Sequence, residues 1–235
     1  MILTTWNMQG GNAATEVKWQ TGVANMLTNS LVPPDAICLQ EAGGVPRSAL
    51  HRVTMPFVDP LFGPTNVDVY DWLVTRRRPG YTIVFHRWDT AGNRVNTAIV
   101  SRNLPHPANV TLVWGMAGPT WRPAVGVRVQ GEWIFSFHAI SPAGADTQHV
   151  LAQVAVVSAG SRWRVGADFN RDPLTLGAPL LPANSVVCPP NAPTHPTRRP
   201  VSRYDYFVCS GNAATTGYRD TSVNLSDHYA VDFAF

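Results

Sequence analysis

An α/β sandwich, with two packed β-sheets and helices on the outside, is the fold class predicted for this 235-residue chain. Three observations predict it. Short β-branched or aromatic runs bounded by Gly, Pro, Asn or Asp recur from end to end. Only two segments carry helical periodicity, and no repeat, heptad or linker divides the sequence. Many strands and few helices bury their apolar faces best as two mixed sheets covered by helices, four layers in all, in one domain over residues 1–235.

The elements follow in order. Residues 2–6 read as a strand and not as a signal peptide, because no basic segment and long apolar segment precede them; a leader removed beforehand would leave the same text. Thr15 can cap a helix running to residue 28, with Glu16 in its first turn and Val17, Val23 and Leu27 among its apolar positions. Strands are expected at 36–39, 81–87, 97–101, 110–113, 124–129 and 133–138. Asp146 can cap a second helix to residue 159 through Val150, Leu151, Val154 and Val157. Further strands are expected at 164–167, 185–187, 206–209 and 229–235, with Pro-rich surface loops across 173–193 and 196–200.

Apolar residues make up 45% and charged residues 14%, which excludes a disordered chain. No apolar run approaches the ~18 residues of a membrane span. The formal charge of +3 and pI near 9.0 give a mild bias toward polyanionic partners. Of the 18 basic residues, 17 are Arg and only Lys18 is lysine. Arginine forks onto phosphate oxygens in a way that lysine cannot, although a GC-rich genome also accounts for this usage. Cys38, Cys188 and Cys209 form no metal-binding pattern. Cys38 lies in an apolar strand as a buried thiol; Cys188 and Cys209 end two strands, and sequence gives no distance that decides whether they pair.

Chemistry concentrates where strands end. Five apolar strands run into polar groups at Thr5-Trp6-Asn7, Leu39-Gln40-Glu41, Phe137-His138-Ala139, Gly166-Ala167-Asp168-Phe169-Asn170 and Ser226-Asp227-His228. Strand ends of layered α/β folds gather at one edge, where loops form the binding site. A lone Asp or His after a strand is usually a cap or turn residue. Five such ends together supply the parts of a metal-assisted phosphoryl-transfer site.

In that order these motifs resemble the endonuclease/exonuclease/phosphatase superfamily that includes DNase I. Within it the chain is similar to the active, CdtB-type subunits of cytolethal distending toxins. That resemblance rests on Thr5-Trp6-Asn7-Met8-Gln9-Gly10, Thr15-Glu16-Val17-Lys18-Trp19, Leu39-Gln40-Glu41-Ala42-Gly43, Arg94-Val95-Asn96, Ala98-Ile99-Val100-Ser101, Trp121-Arg122-Pro123 and Asp168-Phe169-Asn170-Arg171. It spans essentially the whole chain and implies a DNase I-like fold.

The resemblance also implies roles. Glu41 is the candidate ligand for Mg2+, a hard ion that takes one or two carboxylates and keeps several waters; Asn7 supports it, Asp227 shares it, and Mn2+ or Ca2+ could serve in support. Asp168 would orient or deprotonate the attacking water, and Asn170 would donate to a phosphate oxygen. His138 and His228 form the imidazole pair at phosphorus, with Asp205 holding His228. His51, His86, His106, His149 and His195 are left as surface or packing residues. In DNase I an acid before the middle strands supports the histidine matching His138; the text Arg76-Arg77-Arg78-Pro79-Gly80-Tyr81 holds none. The toxin branch places an arginine there, which points to Arg77 or Arg78 as a phosphate contact, with Arg122 as another.

The leading expectation is a Mg2+-dependent endonuclease for double-stranded DNA with little sequence preference. By resemblance it would be secreted, act in the host-cell nucleus and work with toxin delivery subunits. Entry into a foreign cell would give the lysine scarcity a second explanation, selection against ubiquitin acceptors. A phosphoinositide phosphatase on the same site is the alternative, since the superfamily contains inositol polyphosphate phosphatases. A silent binding module is the third reading. Retention of Glu41, His138, Asp168, Asn170, Asp205, Asp227 and His228 argues against it.

Overall fold

The computed structural model describes residues 1–11, 14–59, 63–74, 80–89, 91–102, 105–115, 121–211 and 215–235. In chain order the strands are β1 (Ile2–Asn7), β2 (Ala36–Gln40), β3 (Ala49–Asp59), β4 (Gly63–Trp72), β5 (Tyr81–His86), β6 (Thr97–Ser101), β7 (Val110–Val113) and β8 (Ala124–Val129). They continue as β9 (Glu132–His138), β10 (Trp163–Asp168), β11 (Ser185–Cys188), β12 (Asp205–Ser210), β13 (Tyr218–Asp220) and β14 (Ala230–Ala234). One helical segment runs as α1 (Thr15–Val17), a π-helical stretch (Lys18–Val23) and α2 (Ala24–Thr28); the other is α3 (Thr147–Val157).

Among the described residues the strands form an eight-stranded sheet, in the order β13-β14-β1-β2-β6-β5-β4-β3, and a six-stranded sheet, β11-β12-β10-β9-β8-β7. Both sheets are mixed, since β1 runs parallel to β2 and β9 parallel to β10 while the neighbouring pairs are antiparallel. The sheets pack face to face through β1 on β10 and β2 on β9. Alternation along each strand divides its side chains between two cores. In β2, Ala36 and Cys38 join the core between the sheets, while Ile37 and Leu39 join Trp19, Val23 and Leu27 beneath the first helical segment. On the other side, α3 sets Val150, Leu151 and Val154 into the core of the six-stranded sheet. Covered on both faces, the inner strands read as continuous apolar runs. The layered sandwich expected from the sequence is the fold observed.

Several local expectations need correction. Strands β3, β4 and β13 are not among those expected. β3 contains Pro56 and is mostly exposed, which suits its position at the edge of the sheet, where a missing N–H breaks no inner ladder. Neither expected side-chain cap forms. Thr15 lies inside the helix and its hydroxyl donates to the Gly10 carbonyl, while Asp146 stands at the cap position but accepts from Ile140 N at 2.9 Å. Cys38 is a buried thiol, and Cys188 and Cys209 are free thiols whose Sγ atoms lie 3.8 Å apart.

A polar clasp crosses the apolar core just below the site. Gln40 is fully buried, and its Nε2 donates to Ser136 Oγ at 3.1 Å and to Gly166 O at 3.2 Å on the opposite sheet. Ser136 Oγ returns a hydrogen bond to Leu39 O at 2.9 Å. Replacing Gln40 by Leu strips these acceptors of their donor without emptying the space. Gln40→Leu therefore should cost about 1–3 kcal/mol of unfolding free energy. Urea unfolding would read this as a lower midpoint at unchanged slope, and an unchanged midpoint would contradict it.

Candidate active site

The pairing register places three of the expected residues in one row. Asp168 ends β10 and pairs with His138 at the end of β9 and with Asp205 at the start of β12. Residues in register on adjacent strands share a face, so all three side chains leave the same side of the six-stranded sheet. The facing sheet supplies Asn7 at the end of β1, in register with Gln40 of β2, and Glu41 immediately after it. Asp227 and His228 enter from the turn just before β14.

Buried hydrogen bonds fix these ends. Asn7 Nδ2 donates to Asp168 Oδ2 at 2.8 Å, joining the two sheets directly, while Asn7 Oδ1 accepts from Gln9 N at 2.9 Å. The other Asp168 oxygen accepts from Asn170 N at 2.8 Å, and Asn170 Nδ2 donates to Ala139 O at 2.9 Å. Trp6 Nε1 donates to His228 O at 3.0 Å and Ser226 Oγ to Asn7 O at 2.8 Å, which ties the 226–228 turn to β1. Glu41, Gln9 and Asn170 have φ of 45°, 49° and 49°, a left-handed backbone costly for side-chain-bearing residues and concentrated here at the cavity. The Gly10 and Gly43 loops touch so closely that a Cβ on Gly10 would lie 2.3 Å from Glu41 O. That contact gives the glycine of the opening motif its reason.

The two histidines are electrostatically opposite. Burial disfavours a charged His228 ring, but Asp205, Asp168 and Asp227 overcome it and raise its pKa to about 10. Its Nδ1 lies 2.8 Å from Asp205 Oδ2, and its Nε2 3.8 Å from Asp168 Oδ2. His138 moves the other way: burial, then the positive charges of Arg122, His228 and Arg94, push its pKa well below the usual imidazole value. His138 Nε2 stands 3.8 Å from Glu41 Oε1 and 3.7 Å from Asp168 Oδ2, while its Nδ1 has no hydrogen-bond partner among the described residues. Burial raises Asp168 to about 6; the His228 charge opposes that rise and Asp205 adds to it.

These groups line a cavity of about 360 Å³ that contains Asn7, Glu41, Arg122, His138, Asp168, Asn170, Asp227 and His228. Asp205 is fully buried behind His228. Glu41 Oε2 is enclosed and accepts no hydrogen bond among the described residues, so a carboxylate oxygen stands beside an amide and a second carboxylate. That donor set suits a hard divalent cation. Arg122 is half-buried, and its enclosed Nη1 has no hydrogen-bond partner among the described residues, which suits it to donate to an anion in the cavity. Arg77 and Arg78 lie outside the described residues.

Arg94 and His195 also line the cavity and were not among the expected site residues. Arg94 places Nε 3.6 Å from Glu41 Oε2; its motif contributes to the family resemblance but carries no expected role. His195, assigned to surface or packing, belongs to the cavity wall, with its ring centroid 4.3 Å from that of His228. It follows no apolar strand, so reading strand ends could not find it. The remaining histidines sit elsewhere: His86 is buried, and burial lowers its pKa to about 4, while His149 stacks on Trp121.

Residues 4–228 match the model of the Endonuclease/Exonuclease/phosphatase family. A homolog of the cytolethal distending toxin CdtB chain from Salmonella typhi is 31% identical, with 97% of this chain and 87% of that protein covered. The CdtB chain of the Escherichia coli cytolethal distending toxin is 29% identical over 97% of this chain and 89% of its own. The crystal structure of cytolethal distending toxin from Actinobacillus actinomycetemcomitans superposes with a TM-score of 0.86 at 28% identity, covering 99% of this chain and 97% of that one. The chain belongs to the endonuclease/exonuclease/phosphatase family, in its cytolethal distending toxin CdtB branch.

Proposed function

We propose that this chain is a Mg2+-dependent endonuclease that hydrolyses DNA phosphodiester bonds with little sequence preference, as the catalytic subunit of a secreted genotoxin. The observation that carries the reading is the asymmetric histidine pair around Asp168: a ring held charged by Asp205 and a ring held neutral by burial, 3.8 and 3.7 Å from one carboxylate. The relatives are subunits of cytolethal distending toxins, which supports a toxin role; DNA as substrate, the host-cell nucleus as place of action and delivery subunits as partners would follow from that role.

Glu41, Asn7 and Asp227 would hold the cation, which when bound offsets charge on the phosphate and departing oxygen. Asp168, anionic above pH about 6, would orient the attacking water and accept its proton. Neutral His138 would assist at the nucleophile, and charged His228 would give its Nε2 proton to the leaving oxygen. Arg122 and Asn170 would hold nonbridging phosphate oxygens, with Arg77 or Arg78 as further phosphate contacts. Contacts of this kind read the backbone and not the bases, so binding would weaken steeply with salt.

Supercoiled-plasmid nicking tests the reading directly. Activity should appear with Mg2+, vanish with EDTA and fall about 100-fold or more in His138→Ala and His228→Ala. Equal residual cleavage by all proteins would indicate a contaminating nuclease. Phosphate release from a short-chain phosphoinositide that outpaces nicking would move the substrate to the phosphatase alternative.

The pH profile carries a signed prediction. His228 must be protonated to act as acid, so activity should fall as pH rises through its pKa of about 10. Asp205→Asn removes the contacting carboxylate, lowers that pKa and should bring the alkaline limb down by more than about one pH unit. An unmoved limb with a uniformly lower rate would assign the proton to another group.

A further inference from the structure

The wall holding His228 carries a second imidazole that the phosphodiesterase chemistry does not use. His195 is pinned at its backbone by hydrogen bonds exchanged with Ser202, N to O at 3.1 Å and Ser202 N to His195 O at 2.9 Å. Its ring lies between Tyr204, stacked at 5.6 Å, and His228 at 4.3 Å. Asp227 stands between the imidazoles, with Oδ2 3.7 Å from His195 Nε2 and Oδ1 4.0 Å from His228 Nε2. One donor atom from each residue falls within 4.8 Å of the other two.

We propose that His195, Asp227 and His228 form a second cation site for a late first-row dication of the Zn2+ class, which shares Asp227 with the hard-cation position beside Glu41 but has its own imidazole donors. Donor chemistry separates the two. Two imidazoles and one carboxylate suit Zn2+, whereas the carboxylate and amide oxygens around Glu41 suit Mg2+. Tetrahedral donors at zinc distances lie about 3.4 Å apart, so small ring rotations close the observed gaps. Three protein ligands leave the fourth position open to the cavity. The supporting shell is already built: Asp205 takes the Nδ1 side of His228 at 2.8 Å and directs its Nε2 toward the site, the carboxylate–histidine arrangement that supports bound zinc. His195 and Asp227 side chains are 29% and 40% exposed, which gives an ion a path in.

Binding replaces the proton on His228 Nε2 by the metal and releases that proton to solvent. A zinc-loaded site would therefore leave no proton for the departing oxygen, a consequence that rests on the function proposed for His228. The site itself does not.

The test uses Co2+ and Zn2+ on the whole chain. Wild-type protein should show visible Co2+ d–d absorption of a four- or five-coordinate site, displaced by one Zn2+ per chain. His195→Ala should lose that spectrum, and Asp205→Asn, which keeps all three ligands, should weaken Zn2+ about 10- to 100-fold against a chromogenic chelator. Unchanged Co2+ absorption in His195→Ala, or its loss in Glu41→Gln alone, would overturn the site. In Mg2+ nicking assays, each protein scaled to its own zinc-free rate, Zn2+ should inhibit wild type and spare His195→Ala; equal inhibition of both would overturn it as well. Because the spectrum and the stoichiometry need no turnover, a protein that fails to nick DNA leaves this test intact.

Discussion

One hydrogen bond organises the site: Asn7 Nδ2 to Asp168 Oδ2, 2.8 Å long and buried, between the ends of strands in opposite sheets. Neither sheet holds a complete set of polar groups. The six-stranded sheet presents His138, Asp168 and Asp205 in one row, and the eight-stranded sheet presents Asn7, Glu41 and the turn that carries His228. His228 Nδ1 reaches back across the interface to Asp205 at 2.8 Å. Two short polar links therefore require the sheets to meet in one register, and the Gln40 clasp below them excludes a slip of even one residue.

Burial then divides labour between chemically identical rings. Both histidines are almost wholly enclosed, so surroundings and not solvent set their charge. His228 is bracketed by Asp205, Asp168 and Asp227, whereas His138 faces Arg122, Arg94 and the charged His228 itself. Each ring thus helps fix the state of the other. Groups whose environments push their proton affinities apart are what an acid–base pair requires near neutral pH.

Much of this was legible from residue order. Strand ends that pass abruptly from apolar to polar marked Asn7, Glu41, His138 and Asp168, because inner strands covered on both faces keep their interiors apolar and leave chemistry to their ends; His228, expected at such an end, instead follows a loop and precedes β14. Strand β3 was invisible for the opposite reason: an exposed edge strand containing Pro56 shows neither an apolar run nor clean alternation. Capping went astray because backbone groups of the preceding loops took these side chains, with Thr15 drawn to the Gly10 carbonyl and Asp146 to Ile140 N. His195 and Arg94 reach the cavity from loops and not from the ends of apolar strands, so the strand-end signal does not mark them.

Anomalous diffraction from crystals soaked in Mn2+ would examine the convergence most directly, since Mn2+ replaces Mg2+ at oxygen sites and scatters strongly. Convergence predicts a peak inside the cavity within bonding distance of a Glu41 carboxylate oxygen, with the Asn7 and Asp168 side chains beside it. A peak elsewhere on the molecule, or none in a cavity shown to be open to solvent, would contradict it.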